Sequence, residues 1–370
     1  MKFPGIGAAL MLVSVLFPGC TEDPNPVGGS LLPITDQPVI KIDTLYPSSH
    51  SVSRGLVNSS FSSRIMIGKY LSYESWGMVK FSLPDTLANA SITDAKITFR
   101  AGYYFQDTLV PSELSFRAFR ALKGWLGDSL TLDSLNQGGY YDPTPVSPSF
   151  SAIVGDTDDV QFSIDTTMVR VWFANIPDTT QVNNGIMLQP TNTNVIKGFR
   201  SFSNSNASEV RPKLTVQYVK NGVSGSVSIN AGVSRFLANI DYANLVQNSD
   251  RIYVQAGVAY NGYLKFVSTD PVPSKASIHK AELEIVLDPG LSRLNTFTID
   301  SLVTYYVGTA GIDFSVPPTL SETDTGSGQK LYRFQIQQYV QRWVRGSTGS
   351  IALYTFSEIE VLDLFTFHGE

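Results

Sequence analysis

The chain has 370 residues and a formal net charge of −5, from 27 Lys and Arg against 32 Asp and Glu; with no basic excess to neutralise a phosphate backbone, nucleic acid is excluded as the expected partner. Hydrophobic residues at 42% and aromatics at 11% rule out a disordered chain and suffice for one or two buried cores. One cysteine and three scattered histidines, His50, His279 and His368, exclude internal disulfides, thiolate metal cages and a local histidine metal motif, so no cofactor is expected.

Residues 1–19 open the chain as an export signal. Lys2 supplies a short positive region, and Ile6 to Phe17 an apolar run too short to span a bilayer permanently. Gly19 then precedes Cys20, the chain's one cysteine. This arrangement resembles a bacterial lipoprotein signal, in which the thiol accepts a diacylglycerol and the peptide is cut before it. The resemblance implies that Cys20 is lipidated and that the membrane is a partner through this anchor, each buried CH₂ contributing about 0.8 kcal/mol. Residues 20–36, rich in Pro, Gly and Asp and without periodicity, read as a flexible tether. The pair Glu22–Asp23 looks like the export signal of surface lipoproteins in some Gram-negative phyla. The expected address is the outer membrane, on its outer face, with its inner face as the alternative.

Past the tether the chain repeats itself. Arg64-Ile-Met-Ile, Gly77-Met-Val-Lys-Phe81 and Ala90–Phe99 in the first half match Arg251-Ile-Tyr-Val, Gly262-Tyr-Leu-Lys-Phe266 and Ala276–Ile285 in the second. Phe162-Ser-Ile164 before Val169 and Trp172 matches Phe334-Gln-Ile336 before Val340 and Trp343, and Gly185-Ile-Met-Leu188 matches Ser350-Ile-Ala-Leu353. The expected division is a first unit over 37–220 and a second over 221–370. Ala95, Ile97 and Phe99 alternate with Lys96, Thr98 and Arg100, the period of a strand with one buried face, as do Ala281, Leu283, Ile285 and Leu287. Leu114, Phe116 and Ala118 alternate likewise, and so do Phe297, Ile299, Ser301 and Val303. Residues 165–173 and 337–344 instead space their apolar residues three to four apart. Each predicts a short amphipathic helix with its tryptophan, Trp172 or Trp343, pointing inward. The fold class is therefore all-β: two tandem jelly-roll-like β-sandwiches, each with one short helix.

The order of these blocks, closed by Arg211-Pro-Lys-Leu-Thr-Val-Gln-Tyr218, resembles the disaggregatase-related (DNRLRE) β-sandwich domains, strongly in the first unit and more loosely in the second. Trp125 stands where that family commonly has a tryptophan. The second unit has no match for it. The resemblance implies an extracellular, non-catalytic module, and some members of the family bind acidic polysaccharides.

Motifs for chemistry are absent: no G-x-S-x-G elbow and no Gly-Lys-Ser/Thr loop occurs. Glu282 and Glu284, two apart on one strand face, have the spacing of an acid–base or calcium pair, but Lys96 and Thr98 replace them in the first unit and they read as a solvated face. Asp156-Thr-Asp-Asp159 and the acidic stretch from Glu322 read as turns held in water, with calcium as the alternative. Aromatic residues remain. In an adjacent pair on a strand one ring faces outward, and outward rings stack on sugars. Tyr103, Tyr104, Tyr140 and Tyr141 are the candidate glycan contacts, with Tyr305-Tyr306 a further pair. The expected function is a non-catalytic surface lipoprotein that binds polysaccharide or adheres; the alternative is a structural subunit of a surface assembly. Finally, aligning Leu364 and Phe367 with Phe199 and Phe202 puts the counterpart of the Arg211–Tyr218 strand past Glu370. An unpaired edge is expected in the second unit, either because the sequence is cut short or because a partner strand completes the sheet.

Overall fold

The computed structural model describes residues 39–105, 112–127, 129–174, 183–192, 194–202, 210–240, 250–258, 260–266, 272–274, 276–295, 300–326, 328–346 and 349–369. Cys20, the signal and the tether lie outside the described residues, as do Phe297 and Ile299. The first repeat contains β1 (Ser49–Arg54), β2 (Arg64–Tyr70), β3 (Tyr73–Phe81), β4 (Ser91–Phe105), β5 (Glu113–Ala121), α1 (Leu132–Gln137), β6 (Tyr141–Pro145), β7 (Phe150–Ile153), β8 (Asp159–Ser163), α2 (Thr166–Ala174), β9 (Ile186–Pro190), β10 (Asn194–Arg200) and β11 (Lys213–Lys220). The second contains β12 (Val223–Ile240), β13 (Arg251–Gln255), β14 (Tyr260–Phe266), β15 (Glu282–Val286), β16 (Leu302–Gly308), β17 (Gly311–Ile312), β18 (Thr319–Leu320), β19 (Glu322–Asp324), β20 (Leu331–Gln335), α3 (Gln337–Val344), β21 (Gly349–Thr355) and β22 (Leu364–His368). All pairings between these strands are antiparallel, and the fold is an all-β sandwich architecture.

The two repeats pair their strands in the same register. On β4, Lys96 faces Ser163 and Ile97 faces Phe162 of β8; on β15, Glu282 faces Gln335 and Leu283 faces Phe334 of β20. β2 pairs with β10 as β13 pairs with β22, and β3 with β9 as β14 with β21. The glycine of each Gly-x-x-Lys-Phe block has one packing reason. A Cβ on Gly77 would lie 2.7 Å from Ile65 Cγ2, and one on Gly262 would lie 2.6 Å from Ile252 Cγ2. α2 and α3 each bury their tryptophan, Trp172 at 2% and Trp343 at 5% exposed, in the first and second cores respectively. Deep apolar burial of this kind supplies most of the stability of such short helices.

Three details differ from the sequence reading. The alternation through Val303 has the opposite parity: Leu302 and Tyr306 enter the core, while Val303 and Tyr305 face away from it. Phe367, opposite Ile252, stands where Phe199 stands opposite Ile65, three residues off the expected alignment. The extra residues belong to the connection 356–363, whose Leu362 and Val361 pack into the junction between the repeats. The third concerns the leading strands. β1, ahead of the first repeat, pairs with β14 of the second; β12, which opens the second, pairs with β11 and then β3 of the first. Both leading strands thus cross the expected boundary at 220/221. Residues 45–370 form one compact unit. A separate apolar cluster including Met66, Tyr103, Phe105, Phe236, Tyr260 and Leu362 joins the halves.

Candidate functional site

The outward side of the second repeat's main sheet carries aromatic rings where the first repeat carries a covered apolar surface. In the second repeat Leu264, Phe266, Ile351, Leu353 and Tyr306 fill the core. Alternation then turns Tyr263 on β14, Tyr354 on β21 and Tyr305 on β16 to the opposite side. Tyr263 and Tyr305 both lie directly across from Ala352, which is itself fully buried. Tyr305 packs edge-on against Tyr354, ring centroids 5.4 Å apart, and against Phe314 at 6.1 Å. The Tyr263 and Tyr354 hydroxyls are 3.4 Å apart. Burial, then the Tyr263 hydroxyl, pushes the Tyr354 phenol up, so it stays protonated and able to donate. All three tyrosines are half-exposed and Phe314 is 79% exposed. Lys265 is exposed on the same face of β14, two residues along from Tyr263.

In the first repeat the equivalent surface is closed. Trp76 and Met78 of β3 and Met187 of β9 are buried beneath Trp125, Leu130, Leu132 and Leu135. α1 presents two of those leucines and starts with a capping box between Thr131 and Ser134. Trp125 is fixed by donating its indole N–H to the Asn184 carbonyl at 2.6 Å, and Arg235 donates to the Trp125 carbonyl at 2.8 Å.

The four tyrosines singled out from sequence do not come together. Tyr103 is fully buried in the junction cluster, and its hydroxyl accepts from the Leu362 N–H at 3.3 Å. It offers no ring to solvent and is withdrawn as a glycan contact: the outside of its own sandwich is the inside of the junction. Tyr104 is half-exposed, with the Lys197 ammonium 4.9 Å from its ring. Tyr141 packs against Trp76 and Phe119 at 5.5 and 5.4 Å, and Tyr140 lies under the Lys123 ammonium at 5.2 Å. Both belong mainly to the cover over the first sheet. Tyr263, Tyr354 and Phe314 were not singled out. The available signal was Tyr263 replacing Met78 in the Gly-x-x-Lys-Phe block, in the repeat that lacks a counterpart of Trp125.

The carboxylates are engaged locally. Gln335 donates to Glu282 at 2.5 Å and holds its carboxyl below the usual range, while Arg333 binds Glu284 and Asp324, each at 2.7 Å. Asp158 accepts from the Gly155 N–H at 2.7 Å, and Asp159 pairs with Arg100 at 3.2 Å. Among the described residues no three His, Cys, Asp or Glu side chains converge on a metal position. One depression, lined in part by Arg54, Leu132 and Val258, has a cavity volume of about 30 Å³, room for about one water; another, more open, lies beside Asn89, Ser91 and Arg170 with about 380 Å³. Among the described residues no helix is long and apolar enough to cross a membrane.

No family model matches the chain, and no curated protein matches it. The resemblance to the disaggregatase-related domains rests on the sequence blocks alone.

Proposed function

We propose that this chain is a non-catalytic surface lipoprotein that binds polysaccharide, or adheres through it, with the outer face of its second repeat. The observation that carries the reading is the bare set of Tyr263, Tyr305 and Tyr354 beside Phe314, flanked by Lys265. Rings held in fixed geometry supply apolar area at low entropic cost, and phenol hydroxyls at their rims supply hydrogen bonds. An extended glycan lies on an open sheet face without needing a deep pocket. Cys20, after its apolar leader, supports a lipid anchor at the outer membrane. The engagement of Glu282 and Glu284 by neighbouring side chains supports a binding role over acid–base chemistry.

Affinity electrophoresis of the full chain through gels of neutral and acidic polysaccharides tests this. The chain is expected to be retarded by at least one polymer, and Tyr305→Ala with Tyr354→Ala to abolish the retardation. Uniform mobility in every gel would sink the reading.

A further inference from the structure

We propose that the polysaccharide held on the second repeat is acetylated, and that its acetyl methyls lie on Leu320 and Phe356. This rests on the glycan reading of Tyr263, Tyr305 and Tyr354 and names the class of sugar those rings hold. It begins from apolar side chains on the same face that ring stacking leaves unused.

Among the described residues after 220, four large hydrophobic side chains are strongly exposed: Val223, Phe314, Leu320 and Phe356. Three of them fall on the tyrosine face. Phe314 packs against Tyr305. Leu320 of β18, 53% exposed, lies directly opposite Val303 of β16, and Val303 on its other side lies opposite Tyr354. Directly opposed residues share a face, so Leu320, Val303 and Tyr354 form a row. Phe356, 55% exposed, comes two residues after Tyr354. Its N–H donates to the Ser301 carbonyl at 3.1 Å, one step past the Leu302–Thr355 pair, so the pairing of β16 with β21 and its alternation reach it.

This apolar strip runs beside a second row, Tyr305, Ala352 and Tyr263, two residues along each strand and so about 6–7 Å away. A sugar stacked on the second row sets one edge over the first. Val303, Leu320 and Phe356 have no hydrogen-bonding side chain. A sugar hydroxyl laid on them would give up water for no partner, whereas an acetyl methyl would bury apolar area on both sides. The strip is about one side chain wide, with the Tyr263 and Tyr354 hydroxyls along its border. That is too narrow for the roughly 800 Å² per partner that a stable protein interface buries.

Affinity electrophoresis of the full chain with Cys20→Ser tests the assignment. The gels contain O-acetylated glucomannan or O-acetylated xylan, each before and after mild alkali, or glycol chitin as the N-acetyl source. Alkali removes the acetyl esters and leaves the charge of the polymer unchanged. The acetylated form is expected to bind at least about fourfold more tightly, the contribution of one buried methyl. Leu320→Ser with Phe356→Ser should remove that preference at an unaltered melting temperature, since both side chains are exposed. Tyr305→Ala with Tyr354→Ala should abolish binding of either form. Equal binding of the two forms, a preference that survives Leu320→Ser with Phe356→Ser, or strongest retardation by polymers without acetyl groups overturns the proposal and leaves the glycan reading standing. A chain retarded by no polymer at all sinks both. Self-association in sedimentation velocity that Leu320→Ser with Phe356→Ser abolishes also overturns the proposal, because the strip then belongs to a second copy.

Discussion

The two repeats build nearly the same inside and opposite outsides. Met78, Met187 and Phe119 in the first repeat occupy the sheet positions of Tyr263, Ala352 and Tyr305 in the second. Under residues 122–141 the first set can be methionine and phenylalanine, which fill irregular apolar space. Among the described residues the second sheet has no such cover, and two of the three positions carry tyrosines, which tolerate water at one end. The inward positions do not diverge this way: Trp172 and Trp343, Gly77 and Gly262, Phe162 and Phe334 repeat because close packing dictates them. A duplicated scaffold is thus free to change where its core does not constrain it, and there the proposed binding surface lies.

The largest expected effect comes from separating the repeats. Residues 221–370 expressed alone lose β1, which pairs along β14, while residues 37–220 lose β12 from β3 and β11. Neither piece should give a cooperative thermal transition by circular dichroism, whereas the full chain should. Next come the matched anchors. Trp172→Ala and Trp343→Ala should each cost about 3–5 kcal/mol in denaturant unfolding; an unchanged midpoint for either would break the equivalence of the two cores. The covers should then part company. Leu135→Ala, buried over the first sheet, should cost about 2–5 kcal/mol, while Tyr305→Ala on the bare face should cost much less and abolish polysaccharide retardation.

The smallest effect concerns Glu358, in the connection that reaches the junction. Burial pushes its carboxyl up. The folded state then binds that proton more tightly than the unfolded one, so the stability it contributes is full below the unfolded value and falls as pH rises through the folded one. Glu358→Gln should raise the melting temperature at about pH 8 and leave it unaltered at about pH 4.

Strand parity on β4, β5 and β15, the tandem repeat and the helices α2 and α3 were legible because each is a pattern that burial enforces, whereas the parity of β16 was not. The exchange of β1 and β12 was not, since alternation states which face a residue takes and says nothing of the neighbouring strand. Tyr103 illustrates the consequence. The alternation of Ala95, Ile97, Phe99 and Ala101 would turn it inward, but β4 bulges between Ala101 and Tyr103, so it lies outward on its own sandwich and is buried because the other repeat docks there. Tyr305 was legible as one of an adjacent pair, but its partners Tyr354 and Phe314 come from distant segments that only the sheet order brings together.

The bare aromatic face is tested most directly by fluorine NMR of the full chain labelled with 3-fluorotyrosine, resonances assigned by single Tyr→Phe variants. Titration with a polysaccharide that retards the chain should shift the signals of Tyr263, Tyr305 and Tyr354 together and leave buried Tyr103 still. Shifts confined to Tyr104, Tyr140 or Tyr141, with the second repeat silent, would contradict the account.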